Sequence, residues 1–243
     1  RPQATGYGVA YFAQNMLATR QDSLQGKTAI ISGTGNVGIY AIEKLTELGA
    51  KVVGFMDYDG SIYDKDGVDA EKLAFLKDLV FTRRGSLKEY KAKFPQVEFR
   101  AHQKTWDIPC DVACPTACEN ELNEQDAKTL LANGCKCVCE GSNMPCTPEA
   151  ITLFQQAGIL YSPGKASNAG GVAVSGLEMT QNSMRIYWTR EEVDNYLKRI
   201  MSSIHESCLS YAEEYGMKGN YMAGANIAGF IKVADSMIDQ GLV

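Results

Sequence analysis

Hydrophobic positions along this chain alternate between a helical and an extended spacing. From Gly6 to Ala18, Val9, Phe12, Ala13, Met16 and Leu17 recur at three and four residues, which predicts an amphipathic helix. The polar stretch Asp22 to Lys27 breaks it, and the apolar run Thr28-Ala29-Ile30-Ile31-Ser32 reads as a buried strand. Val37, Ala41, Leu45 and Leu48 then share one helical face, which Gly49 terminates, and Val52 to Met56 is a second buried strand. Residues 28–57 thus have the length of a parallel strand-helix-strand crossover, whose fixed hand makes it the seed of an open sheet. Asp57-Tyr58-Asp59-Gly60 is turn chemistry, Ser61 to Tyr63 a small strand, and helices are predicted over Ala70 to Thr82 and Ser86 to Lys93. The alternation resumes with strand Val112 to Cys114, helix Asn123 to Asn133, strand Cys137 to Cys139, helix Thr147 to Ala157 and strand Ile159 to Tyr161. This is an α/β pattern, a Rossmann-like doubly wound, mostly parallel sheet. After Pro163-Gly164 only helices are expected, over Val172 to Tyr187, Glu191 to Tyr215 and Ala225 to Ile238, so the chain divides into 1–171 and a helical segment 172–243.

Composition adds exclusions. With 243 residues, 45% hydrophobic and 22% charged, the chain has material for a sizeable core, and a net charge of -5 without a Lys/Arg run argues against nucleic acid as a partner. No apolar stretch reaches the ~20 residues that cross a bilayer, and Arg1-Pro2-Gln3-Ala4-Thr5 lacks the apolar core of a signal peptide, so a cytoplasmic protein without a membrane partner is expected. The first residue is Arg rather than Met, which leaves open a processed or excised chain. Cys135, Cys137 and Cys139 alternate as one face of a strand would, while Cys110, Cys114 and Cys118 straddle the strand end Asp111 to Pro115. Neither run has the C-x2-C pairing of a zinc site, and His102 and His205 are isolated, so core packing is expected and no metal.

The chemistry-bearing motif is Gly33-Thr34-Gly35-Asn36-Val37-Gly38, a G-x-G-x-x-G between a strand and a helix. In that context Gly33 makes the tight turn, Gly35 lets a pyrophosphate approach the backbone, Gly38 lets helix meet sheet, and the free amides of the helix start face the phosphates. Asp57 ends the next strand, near the ~20-residue spacing at which a carboxylate reaches the adenosine ribose hydroxyls. Asp57, with Asp59 beside it, repels a 2′-phosphate and favours NAD; Arg83 and Arg84 could fold back to hold one and favour NADP. No Ser-His-Asp or Cys-His arrangement is visible. The loop Ser162 to Val172 follows the last strand, where open α/β sheets place ligands; Asn168 offers a donor and an acceptor for a carboxamide, and Gly170-Gly171 allows close backbone approach.

Six segments, in order along nearly the whole chain, carry a resemblance: Ala4-Thr5-Gly6-Tyr7-Gly8, Ser32 to Gly38, Cys139-Glu140-Gly141-Ser142-Asn143-Met144-Pro145, Ser167 to Val172, Ser175-Gly176-Leu177-Glu178, and Gly224 to Phe230. The chain resembles the second domain and C-terminal helices of the hexameric microbial glutamate dehydrogenases. The resemblance implies that Thr5 meets the nicotinamide carboxamide, Asn36 and Val37 the dinucleotide at the glycine turn, and Asn143 and Asn168 the nicotinamide ribose region. It further implies that Val172 and Ser175 line the glutamate side-chain pocket, with the Ser175 hydroxyl on the distal carboxylate.

The implied reaction is reversible oxidative deamination of L-glutamate to 2-oxoglutarate and ammonia with NAD or NADP, in a homo-hexamer. That family's catalytic Lys and Asp belong to an N-terminal domain whose motifs are absent here, so no catalytic residue is assigned and the chain alone is expected to be inactive. The segment departs from NADP-preferring relatives in Tyr58, Asp59 and Val80, while Arg83 is retained. Two other readings stay open: a leucine or phenylalanine dehydrogenase, against which the polar Ser175 argues, and a non-catalytic dinucleotide-binding module.

Overall fold

Seven strands form one sheet among the described residues, 1–241, of the computed structural model; the last two residues of the 172–243 segment lie outside them. The chain opens with α1 (Ala4–Ala18), β1 (Thr28–Ser32), α2 (Asn36–Glu47), β2 (Lys51–Asp57) and β3 (Gly60–Tyr63). It continues with α3 (Ala70–Lys77), α4 (Leu87–Lys93), β4 (Glu98–Ala101), β5 (Val112–Cys114), α5 (Glu124–Ala132) and β6 (Cys137–Cys139). The remainder is α6 (Pro148–Gln156), β7 (Leu160–Ser162), α7 (Gly164–Ser167), α8 (Gly170–Met184), α9 (Arg190–Glu214) and α10 (Tyr221–Gln240).

The sheet order is β4-β3-β2-β1-β5-β6-β7. β1, β2, β5, β6 and β7 pair in parallel, and β3 and β4 add antiparallel at one edge, which is the expected mostly parallel sheet. Strand order reverses between β1 and β5, and the crevice beyond their carboxyl ends is where such sheets bind ligands.

Period-two alternation explains the two cores. Ala29, Ile31, Cys114, Cys137 and Cys139 face one side under α1, α2 and α9, while Ile30, Ala113, Val138 and Tyr161 face the other, with Trp106, Leu130 and Phe154. Cys135 departs from the expected single face: it precedes β6 and packs on the opposite side from Cys137 and Cys139. The cysteines are free thiols, and no group of metal-ligating side chains assembles among the described residues.

Helix starts follow their caps. Ser86 and Glu89, Asn123 and Asp126, and Thr189 and Glu192 form reciprocal capping boxes at α4, α5 and α9. The helix predicted over residues 70–82 ends at Lys77 and widens into a π-helical turn, Asp78–Arg83, closed by Arg84 in the left-handed region at φ 52°. β4 was not expected, because Phe99 is its only large apolar residue; its backbone is satisfied by β3. α7 occupies what reads as loop, and α10 begins four residues before the apolar pattern does, where Asn220 caps it.

Within the 172–243 segment, α9 packs on α1 through Leu197, Met201, His205 and Cys208. α10 docks through Tyr221 and Gly224 at its start, and beyond them Phe230, Val233 and Met237 are exposed. No described helix is long and apolar enough to cross a membrane.

Candidate dinucleotide cleft

The glycine turn leaves β1 at Gly33, whose φ of +75° suits a residue without a side chain. A Cβ on Gly38 would stand 1.8 Å from the Gly33 carbonyl oxygen, so the turn closes on its own helix only because position 38 is bare. At Gly35 nothing lies within 4 Å of the place a Cβ would take. The first turn of α2 has no side-chain cap and no acidic residue, so its amides are free for an anion. Open space at Gly35 over uncapped amides fits a pyrophosphate.

Thr34, between the glycines, is buried, and its hydroxyl donates to Oδ2 of Asp57 at the end of β2. Asp57 Oδ1 accepts the Tyr58 amide at 2.8 Å. The turn and the acidic strand end are therefore one unit. Sequence reading missed Thr34, for which the available signal is a small hydroxyl between two glycines and a carboxylate ending the next strand.

Two clefts sharing Ala117 and Cys118 line this edge of the sheet. One, of about 370 Å³, includes Gly33, Asp57, Tyr58, His102 and Lys104. The other, of about 870 Å³, is bordered by Thr5, Val37, Thr116, Asn143, Asn168 and Val172. Thr5, Asn143 and Asn168, expected at the nicotinamide end, thus come together from three separate stretches of chain, with Val37 of the glycine turn and Val172 of the expected substrate wall beside them, while Gly33 and Asp57 line the other cleft. Gly35 and Asn36 are exposed at the α2 start. Asn168 Nδ2 donates to Asn143 Oδ1 at 3.0 Å, joining the loops after β7 and β6. Ser175 lies one turn along α8 from Gly171: its hydroxyl donates to the Gly171 carbonyl at 3.1 Å and accepts from Arg1 Nε at 2.6 Å.

Three expectations change. Arg83 is engaged by Asp78 at 2.8 Å and Glu89 at 2.9 Å, so it does not fold back to the cleft. Asp59 is buried and accepts from the Ser86 hydroxyl and, at 3.1 Å, from the Leu87 amide; it caps α4 instead of repelling a ligand. Gly170 and Gly171 do allow close approach, but of α1: Cβ atoms there would stand 2.3 Å from the Ala4 carbonyl oxygen and 2.4 Å from Thr5 Oγ1. Lys104, which lines the smaller cleft, was not singled out; its ammonium donates to the Glu121 carbonyl at 2.8 Å and to Asp126 at 2.7 Å.

Two carboxylates brace the clefts, Glu121 in the lining of the smaller one and Glu140 outside the lining of the larger. Glu121 accepts the Ser32 hydroxyl at 2.7 Å and the Ala117 amide at 3.0 Å, and burial pushes its carboxyl up despite these donors. Glu140, 2% exposed, is likewise pushed up by burial, against the Gly164 amide and the Tyr161 hydroxyl.

A family model described as Glutamate/Leucine/Phenylalanine/Valine dehydrogenase matches residues 1–241. The chain is 55% identical over 242 residues to the NAD(P)-specific glutamate dehydrogenase of Xylanibacter ruminicola, covering 100% of this chain and 54% of that one. It is 52% identical over 243 residues to the NADP-specific glutamate dehydrogenase of Haemophilus influenzae, with the same coverage. The crystal structure of Plasmodium falciparum glutamate dehydrogenase superposes with a TM-score of 0.98 at 44% identity, over 100% of this chain and 52% of that one. The chain spans about half the length of the curated relatives it matches. It belongs to the glutamate/leucine/phenylalanine/valine dehydrogenase family.

Proposed function

We propose that this chain is the dinucleotide-binding part of a glutamate dehydrogenase, with residues 1–171 forming the cofactor unit and residues 172–243 the segment returning to a substrate domain. The observation that carries the reading is the pair of adjoining clefts, one lined by Asp57 and the other by Asn168, that share Ala117 and Cys118 at the sheet edge where α2 starts uncapped. Gly33, Gly35, Asn36 and Gly38 hold the pyrophosphate against the α2 amides, and Asp57, oriented by Thr34, accepts from the adenosine ribose hydroxyls. Thr5, Val37, Asn143 and Asn168 surround the nicotinamide and its ribose.

When bound, the nicotinamide supplies the hydride acceptor for oxidation at the amino acid α-carbon. This chain's own part is to orient that ring and keep water from it. Val172 and Ser175 form one wall of the amino-acid pocket, the Ser175 hydroxyl donating to the distal carboxylate of L-glutamate or 2-oxoglutarate. NAD fits better than NADP, because a carboxylate at position 57 repels a 2′-phosphate and Arg83 is already paired. The working form is a cytoplasmic homo-hexamer that releases and consumes ammonia.

A substrate panel on the full-length enzyme tests the reading. Glutamate should exceed leucine and phenylalanine in kcat/KM, and Ser175→Ala should raise the glutamate KM about tenfold at similar dinucleotide KM. Faster turnover of an apolar amino acid would replace glutamate as the substrate. Dinucleotide binding without turnover of any amino acid would support the non-catalytic module.

A further inference from the structure

Asn143 and Asn168 sit on different loops, and neither is rigid by its own chemistry. Asn143 is exposed next to the left-handed Met144, and Asn168 follows the short helix α7. Between the roots of these two loops lies Glu140, the first residue after β6, buried but outside the lining of the cleft.

Each polar group of Glu140 holds a different piece of the surroundings. Its Oε2 accepts the Gly164 amide at 2.7 Å, at the start of α7. Its Oε1 accepts the Tyr161 hydroxyl at 2.8 Å, on β7. Its carbonyl oxygen accepts the Ser167 hydroxyl at 2.5 Å, immediately before Asn168. The two loops also touch directly, since a Cβ on Gly164 would come within 2.4 Å of the Ser142 carbonyl oxygen.

No Lys or Arg pairs with Glu140 among the described residues, so the buried carboxylate is held by dipoles alone. A carboxylate without a cation is a costly way to fill core space, where an apolar residue of similar volume would serve packing as well or better. What an apolar residue at the root of the Asn143 loop cannot do is accept the Tyr161 hydroxyl on β7 and the Gly164 amide at the start of α7 at once.

We propose that Glu140 is a positioning residue for the cofactor: it fixes the separation of Asn143 and Asn168, and through them the seat of the nicotinamide ribose. The proposal rests on the assignment of those two asparagines under the proposed function. Glu140 touches neither dinucleotide nor substrate; it acts by the register of the loops.

The test compares Glu140→Ala, Glu140→Gln, Tyr161→Phe, Asn143→Ala and Asn168→Ala in the full-length enzyme, reading the KM of dinucleotide and glutamate separately. Glu140→Ala should raise the dinucleotide KM about tenfold while the glutamate KM stays within about twofold. Glu140→Gln should stay within about threefold of the parent, because its carbonyl can accept the Gly164 amide while its amide donates to the Tyr161 oxygen. If Glu140→Ala does not fold, Tyr161→Phe decides: it removes a hydroxyl that the carboxylate accepts and should still raise the dinucleotide KM several-fold at unchanged glutamate KM. The proposal is overturned if the folded variants move both KM values together, or leave the dinucleotide KM unchanged while the two asparagine variants raise it. An unchanged dinucleotide KM in both asparagine variants overturns the site assignment itself, and this proposal with it.

Discussion

Gly35 and Gly38 are three positions apart and carry the same residue for different reasons. At Gly38 a methyl group would collide with the Gly33 carbonyl, so the constraint is internal to the fold. At Gly35 a methyl group meets nothing of the protein, so the fold sets no such constraint there, and under the proposed function the constraint belongs to the pyrophosphate. Gly38→Ala is therefore expected to lower stability by ~1–3 kcal/mol, as overpacking does, and to weaken dinucleotide binding at the same time. Gly35→Ala should leave the thermal midpoint nearly unmoved and still weaken binding by about tenfold, since it occupies the approach to the pyrophosphate. Thermal unfolding and calorimetric titration with NADH separate the two; equal loss of stability in both would refute the distinction. Positions set by neighbours in sequence were legible in this way: the glycines between strand and helix, and Asp57 at a strand end. Asp59 was not, because its partners Ser86 and Leu87 at the start of α4 are brought beside it only by the fold; nor was Arg83, whose nearby partners Asp78 and Glu89 meet it only through the π-helical turn and the start of α4.

At the scale of elements, apolar periodicity located the strands of the parallel sheet and the long helices to within a few residues. It missed β4, whose role is to pair an edge through its backbone, and the π-helical turn, which depends on how Arg84 closes it. Nor could it show how α9 and α10 meet α1. That seam is built around His205, whose Nε2 lies 3.0 Å from the Tyr221 hydroxyl and whose ring meets Phe12 edge-on at 5.4 Å. Burial pushes the imidazole down to about 4. Its unfolded value is ~6.5, so the folded chain prefers the neutral ring; its contribution is full above ~6.5 and is lost as pH falls toward 4. The ceiling on that loss is about 3 kcal/mol. Urea midpoints measured across this window should fall, and His205→Gln, which keeps a hydrogen-bonding group opposite Tyr221 and cannot titrate, should flatten the fall. An equally steep acid loss in the variant would assign it to carboxylates instead.

At the scale of the whole molecule, large apolar side chains stay uncovered on α8 and along the outer length of α10 among the described residues. Order and type of elements were enough to read the doubly wound sheet from the chain, and the cleft followed from where strand order reverses. Which helix faces stay uncovered was not legible, because an apolar stripe looks the same in sequence whether or not a partner lies against it. Phe230, Val233 and Met237 recur at helical spacing along the exposed length of α10, with exposures of 71%, 60% and 64%, and Met179 and Met184 are similarly exposed on α8. Contiguous apolar surface of this kind promotes association in water. The 243-residue chain produced by itself is expected to bind a hydrophobic dye and to self-associate as its concentration rises. The double substitution Phe230→Ser with Met237→Gln should reduce both. Because neither side chain is buried, it should change stability by no more than ~0.5 kcal/mol, and because neither borders the cleft, it should leave NADH affinity as it was. Sedimentation, dye fluorescence and calorimetry on the same preparations make the comparison. A large loss of stability would mean that the stripe is covered within this chain, and unchanged self-association would move the sticky surface away from α10.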